Sequence, residues 1–462
     1  MIRTIAMVAG VMAAAPAAAQ TAGPAAAPAE AAGATPVATA PAASVPAAQK
    51  TSYIHAGALL ARAGQPPRAN STIIVRAGKI AEIRDGFVAP EPGAELIDLK
   101  DKFVLPGLID LHVHLLGIGG DPMRARLTAL NTEQADDLLY GAGNARTTLR
   151  SGFTTVRDLG GDPRAIRALR DAIARGDVDG PTIINAGAPI SVTGGHGDPL
   201  NGIAEPFAHA IAPTVENTCD GVDDCVRATR RQVGLGAQVI KITATGGVLS
   251  NVSGGLGRAF TPEEMKAIVD TAHGLGRKVA AHSHAAEGTK AALLAGVDTI
   301  EHGSFLDDET IALLRRTGAY LVPTEIAPVA ALAQARAGAL PAATIPKAEA
   351  AAAAMQESHR KAYKAGVRFA FGTDSGVSHH GQNGTEFALL VDKVGMSPTE
   401  AIRSATLTAA EVLGQGTTIG SIEPGKNADI IAVDASPLGD VRELERVRFV
   451  MRNGAVARRI GE

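Results

Sequence analysis

The sequence predicts an α/β fold, a (β/α)8 barrel with a small β-sandwich domain assembled from both ends of the chain. Two observations carry this prediction. The middle of the chain alternates short apolar segments with amphipathic helical patterns, which is the order of a barrel of parallel strands. The two ends instead alternate short apolar runs with Gly, Pro and Asp turns, which is typical of antiparallel sheet. A length of 462 residues accommodates both parts.

The composition narrows the class of function. Apolar residues make up 46% and charged residues 20% of the chain, which excludes a disordered protein or a charged coiled coil. Lys and Arg number 44 against 47 Asp and Glu, so the basic excess of a nucleic-acid binder is missing and no nucleic-acid partner is expected. Aromatic residues make up only 3%, so the core must be built from Ala, Val, Leu and Ile.

Residues 1–19 have the layout of a secretory signal peptide. Arg3 precedes an apolar stretch, and small residues lead to a cleavage site after Ala19. An ordinary N-terminal helix is the alternative. Residues 20–50 are rich in Ala and Pro and are interpreted as a flexible linker. No segment reaches the ~18 uninterrupted apolar residues of a membrane span. We therefore expect an exported, periplasmic protein without a membrane span.

The β-sandwich is predicted over residues 51–106 and 416–462. In the first part, Ser71–Arg76 and Ile80–Ile83 read as two strands joined by a Gly-containing turn. The same alternation of short apolar runs and turn residues occurs in Asp429–Val433 and Arg448–Gly454. Similar sequence patterns at both ends indicate one β-domain. The barrel domain is predicted over residues 107–415, between the two parts of this β-domain.

Eight strands separated by helical patterns are predicted for the barrel. A capped helix start, Thr261 followed by Pro262, is an example of the intervening helices. A doubly wound sheet is the rival fold, but no GxGxxG motif follows an early strand. The predicted strands are Phe103–Leu111, Thr154–Arg157, Thr182–Asn185, Val239–Ile242, Val279–His282, Thr299–Glu301, Tyr320–Pro323 and Arg368–Gly372.

Side chains able to bind metal or move protons lie in or directly after five of these strands. They are His112 and His114, Lys241, His282 and His284, His302, and Asp374. Because barrel active sites are built at the carboxyl-terminal ends of the strands, we expect these residues to converge.

These residue types suit two divalent metal ions. His112 and His114 point to the same side of an extended strand, so both can bind one ion. Imidazole and carboxylate favour zinc, although Mn, Co or Fe also accept them. Burial lowers the pKa of an interior lysine, and the neutral amine of Lys241 can then take up CO₂ as a carboxylate that bridges two ions. A salt-bridged barrel lysine would be the simpler interpretation of Lys241 taken alone.

At this point the chain resembles a known family. The run Phe103–His114, with Lys241, His282, His302 and Asp374, is similar to the metal-dependent amidohydrolase superfamily. The segment Gly420–Val433 resembles the return of such chains into their β-domain. The segments Lys241–Ser250 and Ala281–Gly288 are similar to the branch of prolidase-like dipeptidases, Xaa-Arg/Lys carboxypeptidases and ochratoxinase-type amidases.

The resemblance implies a role for each position. His112, His114 and Asp374 would hold the more buried ion, His282 and His302 the other, and carboxylated Lys241 would bridge them. A hydroxide between the metals would be the nucleophile, and Asp374 would act as base and then acid. His284 lies two residues after His282 on the same strand face, and we assign it to polarising the scissile carbonyl.

Other His and Cys residues are less informative. His196, between glycines, is a candidate for binding the polar end of a substrate, and a turn histidine is an equally good interpretation. His379 and His380 are expected on a surface loop, and His55 and His273 in structural or exposed positions. Cys219 and Cys225 are expected to form a small-loop disulfide, with two unrelated buried thiols as the alternative.

The leading hypothesis is a hydrolase of a dipeptide with a free C-terminus or of an N-acyl amino acid, including ochratoxin-like amides. Hydrolysis of a cyclic amide is a close rival. A one-metal deaminase would use the His284-x-x-Glu287 pattern, and a non-catalytic binding protein could retain the barrel. Specificity is expected from rim loops over Ile118–Asp137, Gly187–Pro206 and Thr324–Lys361. Association into a homo-oligomer is left open.

Overall fold

A computed structural model of the chain describes residues 51–119, 128, 131–248, 255–338 and 345–462. The predicted signal peptide and linker therefore lie outside the described residues. The strands are β1 (Ser52–Leu59), β2 (Arg68–Arg76), β3 (Lys79–Asp85), β4 (Glu95–Pro106), β5 (Leu108–Val113), β6 (Phe153–Asp158), β7 (Thr182–Asn185), β8 (Val239–Thr243), β9 (Lys278–Ala285), β10 (Thr299–Phe305), β11 (Tyr320–Val322), β12 (Ile430–Val433), β13 (Phe449–Arg452) and β14 (Ala455–Arg458).

Helices follow most of the middle strands. The α-helices in the described part of the chain are Gln134–Arg150, Pro163–Arg175, Glu205–Ile211, Val222–Gly234, Pro262–Gly274, Ala286–Ala295, Asp308–Thr317, Ile326–Arg336, Ile345–Lys364, Thr385–Leu389, Pro398–Arg403 and Ala409–Val412. Short π-helical turns cover Leu390–Val394 and Ser404–Thr408, and 3₁₀ turns cover Ala212–Thr214 and Val441–Glu445. Within the described residues, none of these helices is both long and apolar enough to span a bilayer.

Strands from both ends of the chain join in one sheet. Its seven strands have the order β14-β13-β12-β4-β1-β2-β3, and only the β1–β4 pair is parallel. Ile54, Ile73 and Val104 from the first part pack with Ile430 and Phe449 from the second in a common apolar cluster. The predicted sandwich domain therefore appears as a single sheet formed by both ends.

The middle strands form two parallel sheets. Three strands pair in the order β5-β6-β7 and four in the order β11-β10-β9-β8. The first predicted strand divides at Gly107, where the chain passes from β4 to β5. Thr154 lies so close to Gly107 that any Cβ there would clash, which explains the glycine.

The prediction of a closed eight-stranded barrel is corrected in one respect. Residues 368–372 do not form a regular strand, and only Phe369 makes an isolated parallel bridge to Leu321. Their backbone bonds are divided between two neighbours, because Ala370 donates to Leu321 whereas the carbonyl of Phe371 accepts from Leu111. Isolated bridges therefore link the two sheets where the sequence predicts an eighth strand.

Helix ends agree with the sequence signals. Thr261 accepts a hydrogen bond from the amide of Glu264, and the Glu264 side chain returns to the Thr261 amide, which forms a capping box. The buried face of this helix consists of Met265, Ile268, Val269 and Ala272 at helical spacing. Such helices cover the parallel sheets from outside and leave the carboxyl ends of the strands for the site.

Candidate metal centre

The predicted site residues meet at the carboxyl ends of the parallel strands. His112 lies in β5 with His114 directly after it, Lys241 in β8, His282 and His284 in β9, His302 in β10, and Asp374 follows the extended segment 368–372. All seven, together with His196, line one cavity of about 530 Å³. The convergence expected from strand order is therefore present in the structure.

His112, His114 and Asp374 form the first group of donors. Asp374 Oδ1 lies 3.1 Å from Nε2 of His114 and 3.5 Å from Nε2 of His112. Asp374 has a φ of 59°, a left-handed backbone conformation that is unusual for a residue with a side chain. This conformation turns the carboxylate toward the two imidazoles, and the three donor atoms lie within 4.8 Å of one another.

Buried polar side chains orient the imidazole of His112. Its Nδ1 lies 2.9 Å from Oε2 of Glu301, and Arg157 donates to Oε1 of the same carboxylate at 2.7 Å. Burial opposes the charge of Glu301, but Arg157 and His112 outweigh it and lower the pKa of this carboxyl to about 2. An ionised Glu301 leaves the Nε2 lone pair of His112 directed at the site.

A second polar network fixes the segment that carries Asp374. Asp110, fully buried in β5, accepts hydrogen bonds from the hydroxyl of Thr373 at 2.6 Å and from Nδ2 of Asn383 at 2.8 Å. It also accepts from the amide of His112 at 3.0 Å. One carboxylate thus links the backbone of a donor on β5 to the neighbour of Asp374.

Lys241 lies beside the first group of donors and lines the same cavity as the other site histidines. Its Nζ is 3.3 Å from Nε2 of His112, and the residue is only 4% exposed. Burial lowers its pKa to about 8. A larger fraction of neutral amine is therefore present near neutral pH than for an exposed lysine, and the neutral amine is the form that reacts with CO₂.

His282, His284 and His302 form the second group. Their donor atoms lie within 4.8 Å of one another, and the ring centroids of His282 and His302 are 4.6 Å apart. Burial lowers the pKa of both His282 and His302 well below the usual range, so these imidazoles are neutral at pH 7 and their lone pairs can bind a metal.

Nε2 of His282 tests whether this group fits a metal ion. The atom is buried and has no hydrogen-bond partner among the described residues. A buried nitrogen without a partner is costly in a folded protein, and metal coordination removes that cost. The donor set of neutral imidazoles therefore fits a bound ion at this position. Geometry also groups His284 with His282 and His302, although the sequence assigns His284 to the substrate.

His196 packs beside the second group. Its ring centroid is 4.3 Å from that of His282, and burial lowers its pKa to about 4. Gly247 faces this ring, and a Cβ at Gly247 would lie 2.6 Å from its atoms. His196 thus lies in a turn, and its ring also forms part of the cavity wall, so the structure agrees with both interpretations of this residue.

The outer wall of the cavity is apolar and helical. Two helices, Ile326–Arg336 and Ile345–Lys364, occupy most of the predicted rim loop Thr324–Lys361. Their cavity-facing residues are Ala327, Pro328, Ala331, Ala348, Ala351 and Met355. Of the other predicted loops, Gly187–Pro206 contributes Pro189, His196 and Gly197, whereas much of Ile118–Asp137 lies outside the described residues.

The remaining predictions have mixed outcomes. Cys219 and Cys225 form a disulfide, as expected. His379 is exposed, as expected, whereas His380 is only partly exposed and its Nε2 lies 3.3 Å from the carbonyl oxygen of His114. Glu287 is exposed and lies 3.6 Å from Arg258, so the proton shuttle that a deaminase would place at this residue is turned away from the site.

Several residues of the site were missed by sequence reasoning. Ser304 Oγ lies 2.8 Å from Nδ1 of His284, and Thr324 Oγ1 lies 2.8 Å from Nδ1 of His302. His359 and Glu325, both fully buried, lie behind His302. Glu301, next to His302 within an apolar strand, is the one signal that the sequence offered, since a buried carboxylate needs a partner.

Comparison with known proteins identifies the family. A family model described as the amidohydrolase family matches residues 103–457, which is most of the chain. The chain belongs to the amidohydrolase family. This amidohydrolase is 32% identical over 422 residues to an ochratoxinase from Aspergillus niger, a match that covers 87% of this chain and 85% of the relative.

Solved structures agree with this membership. A Xaa-Pro dipeptidase with methionine bound in its active site matches the amidohydrolase with a TM-score of 0.82 at 38% identity, over 88% of this chain and 99% of that one. A prolidase complexed with N-methylphosphonate-L-proline matches with a TM-score of 0.80 at 29% identity, over 89% of this chain and all of the other. The protein is therefore a hydrolase that acts on carbon–nitrogen bonds.

Proposed function

We propose that the protein is a binuclear metal-dependent amidohydrolase that cleaves an amide or peptide bond of a small substrate. The observation that carries the proposal is that two groups of metal-binding side chains and a buried lysine line one cavity. Each group offers donors that suit one ion. Lys241 contacts His112 of the first group and lines the same cavity as the second group, which supports a bridged pair.

The donors divide between the ions by proximity. His112, His114 and Asp374 would hold one ion, His282 and His302 the other, and Lys241 carrying a CO₂-derived carboxylate would bridge them. Two divalent ions, with zinc favoured by the imidazole-rich donor set, supply Lewis acidity and activate water at neutral pH.

Two residues of the chain act on the substrate. Asp374, with its carboxylate on the cavity floor, accepts the proton of the attacking water and passes it to the leaving amine. Ser304 orients the imidazole of His284, which lines the cavity and donates a hydrogen bond to the scissile carbonyl as negative charge develops on its oxygen.

The cavity wall supports a substrate with an apolar group. Among the described side chains of the helices Ile326–Arg336 and Ile345–Lys364, those that line the cavity are Ala, Pro and Met, so this wall is apolar. An N-acyl amino acid, an ochratoxin-like amide or a dipeptide with an apolar residue fits this wall, and His196, which lines the same cavity, would bind a polar end. The names of the relatives, ochratoxinase and Xaa-Pro dipeptidase, support the same substrate class.

Export to the periplasm belongs to the same proposal. The signal-like residues 1–19 support it, and so does the Cys219–Cys225 disulfide, because such bonds persist in oxidising compartments.

The test is a screen of dipeptides, N-acyl amino acids and cyclic amides against metal-reconstituted protein. Asp374→Asn and Lys241→Ala should each yield folded protein with turnover reduced by about 10³-fold or more, because the first removes the carboxylate that accepts the proton and the second removes the amine that would carry the bridging carboxylate. Metal analysis of each variant accompanies the rates. An Asp374→Asn variant that retains two ions and hydrolyses amides near the wild-type rate would contradict the proposed role of Asp374. Zero turnover of fully metallated wild type across the screen would favour a binding protein.

A further inference from the structure

A buried polar pair outside the donor set contacts the backbone of one proposed metal ligand. His359 lies on the helix Ile345–Lys364, and Glu325 lies at the start of the helix Ile326–Arg336. Both residues have no exposed surface. Nothing in the reaction described above uses either residue.

The contacts of His359 are short and directed. Its Nε2 donates to the carbonyl oxygen of His302 at 2.6 Å, and its Nδ1 lies 2.6 Å from Oε1 of Glu325. Glu386 in turn anchors Glu325. Its two carboxylate oxygens accept hydrogen bonds from the backbone amides of Glu325 and Ile326, at 2.8 Å each. A buried chain of hydrogen bonds therefore runs from Glu386 to the backbone of His302.

His302 lies where the pairing of β10 becomes irregular, although it still pairs with Ser283 of β9. Regular pairing of β10 with β11 ends at Glu301, and its register with β9 shifts between His302 and Phe305. At this point the φ of His302 is 70° and that of Gly303 is also 70°, so the chain leaves the extended conformation. A buried carbonyl needs a partner, and His359 provides one for the carbonyl of His302.

The same chain of contacts also fixes the imidazole of His302. Nδ1 of this ring lies 2.8 Å from Oγ1 of Thr324, which directly precedes Glu325 and has a φ of 54°. His302 and Thr324 therefore contact each other, and both have left-handed backbone conformations. Such conformations persist only where the surrounding structure stabilises them. Since Glu386 holds the amide of Glu325 and Glu325 holds His359, both the backbone and the ring of His302 depend on one network.

We propose that Glu325, His359 and Glu386 form a clamp whose role is to hold His302 in the geometry of a metal ligand. This inference rests on the proposed binuclear site. The three members of the clamp are positioning residues, because they act through His302 and do not touch the substrate. The predicted consequence is selective: loosening the clamp weakens the ion at His282 and His302 and spares the ion at His112, His114 and Asp374.

The experiment measures the affinity of both metal sites by competition with a zinc chelator, in full-length wild type and variants. His359→Leu removes the hydrogen bond to His302, and Glu325→Ala removes the anchor of His359. Each substitution should weaken the binding of one of the two ions about 10- to 100-fold. This range is typical when a residue that holds a metal ligand in place, without touching the metal, is replaced. Glu325→Gln can donate its amide N–H to Nδ1 of His359 and should retain both ions near wild-type affinity.

Ser358→Ala is the matched control. Ser358 precedes His359 on the same helix, donates to the carbonyl of Ser304 at 2.9 Å and accepts from the amide of Leu306 at 3.1 Å. The substitution Ser358→Ala removes buried hydrogen bonds to the segment that follows His302 and leaves the contacts of His302 itself unchanged. Unfolding temperatures of the metal-free proteins show whether the variants are equally destabilised. At equal unfolding temperature, Ser358→Ala should keep both ions and His359→Leu should lose one.

The outcomes separate this inference from the proposed function. Wild type that binds fewer than two ions contradicts the binuclear site and the clamp together. Wild type with two ions, beside His359→Leu and Glu325→Ala variants of unchanged affinity, contradicts the clamp alone. An equal loss of metal in Ser358→Ala also contradicts it, because a general loosening of the segment would then explain the effect. If His359→Leu does not fold, Glu325→Ala decides by the same criterion.

Discussion

At the scale of single residues, the side chains that cluster in the candidate site could be predicted, and the groups that orient them could not. His112, His282 and Asp374 stand out in the sequence because they end apolar strands. Thr324 and Ser304 do not, because hydroxyl residues are common in loops and acquire their role only through proximity to His302 and His284. Pairs so far apart in sequence leave no local pattern.

His284 is assigned to the substrate carbonyl, although its donor atoms lie close to those of His282 and His302, and a substitution distinguishes the two roles. His284→Asn should lower kcat by about 10²- to 10³-fold, because the shorter asparagine side chain cannot bring its N–H to the position of the imidazole N–H beside the developing oxyanion. Metal content should stay at the wild-type value. The measurements are steady-state kinetics and metal analysis on one preparation. Loss of an ion would show that His284 is a ligand and that its role was exchanged with that of His282.

A second prediction at this scale concerns Asp429, far from the metal centre. Its Oδ1 accepts from the amide of Asn453 at 2.7 Å, whereas its Oδ2 is buried and has no partner among the described residues. Burial raises the pKa of Asp429 to about 6, although Arg452 and Lys79 partly oppose the shift. The folded state therefore binds this proton more tightly than the unfolded state does, so ionisation lowers the free energy of unfolding as the pH rises from about 4 to above 6.

Asp429→Asn should remove this contribution and keep an oxygen acceptor for Asn453. The variant and wild type should have similar free energies of unfolding at pH 4. At pH 7 the variant should be more stable, by up to about 3 kcal/mol for a shift of two pKa units. Denaturant titrations at both pH values provide the check. A difference in free energy that does not change with pH would contradict the assigned pKa.

At the scale of elements, the strands of the middle region were predicted closely, but the wall helices were not. Val239–Ile242 and Thr299–Glu301 lie inside β8 and β10. By contrast, the helix Ile345–Lys364 begins in an alanine-rich segment whose buried and exposed faces carry the same residue, so no apolar period marks it. The predicted eighth strand failed for a different reason, because its backbone hydrogen bonds are divided between two neighbouring elements.

The wall helix offers a direct test of specificity. Ala351 lines the cavity and is 5% exposed, so Ala351→Phe should fill space that an apolar substrate group needs. KM for substrates with large apolar groups should rise by about 10-fold or more, which corresponds to ~1.4 kcal/mol of lost binding. Substrates with small groups should be less affected. Ala353→Phe, on the exposed face of the same helix, is the matched control. Equal changes in both variants would contradict the assignment of the wall.

At the scale of the whole molecule, composition indicated how the core is made but not where the site lies. The core contains few aromatic side chains and many Ala, Val, Leu and Ile, as expected. The union of both chain ends in one sheet followed from similar patterns at residues 51–106 and 416–462. The division of the middle strands into two sheets could not be derived, because the segments between the sheets make only isolated bridges such as that between Leu321 and Phe369.

Metal removal should change the stability of the whole protein. Ions that bind only the folded state stabilise it by about 3 kcal/mol when their concentration is 100 times the dissociation constant. Chelator-treated protein should therefore unfold at a lower temperature, and added zinc should restore the original value. Calorimetry with metal analysis checks this at pH 7. Unchanged unfolding after verified removal of the ions would contradict a metal centre held by buried donors.

The helix Ile345–Lys364 has one further consequence, because Met355 lines the cavity and His359, one turn later, contacts His302. A molecule that packs against Met355 and an ion at His302 thus favour the same position of one helix. Any such coupling must be reciprocal: the factor by which the ion increases affinity for the molecule equals the factor by which the molecule increases affinity for the ion. A non-hydrolysable apolar amide should therefore reduce the amount of zinc lost to a chelator at equilibrium, and zinc-depleted protein should bind that amide more weakly.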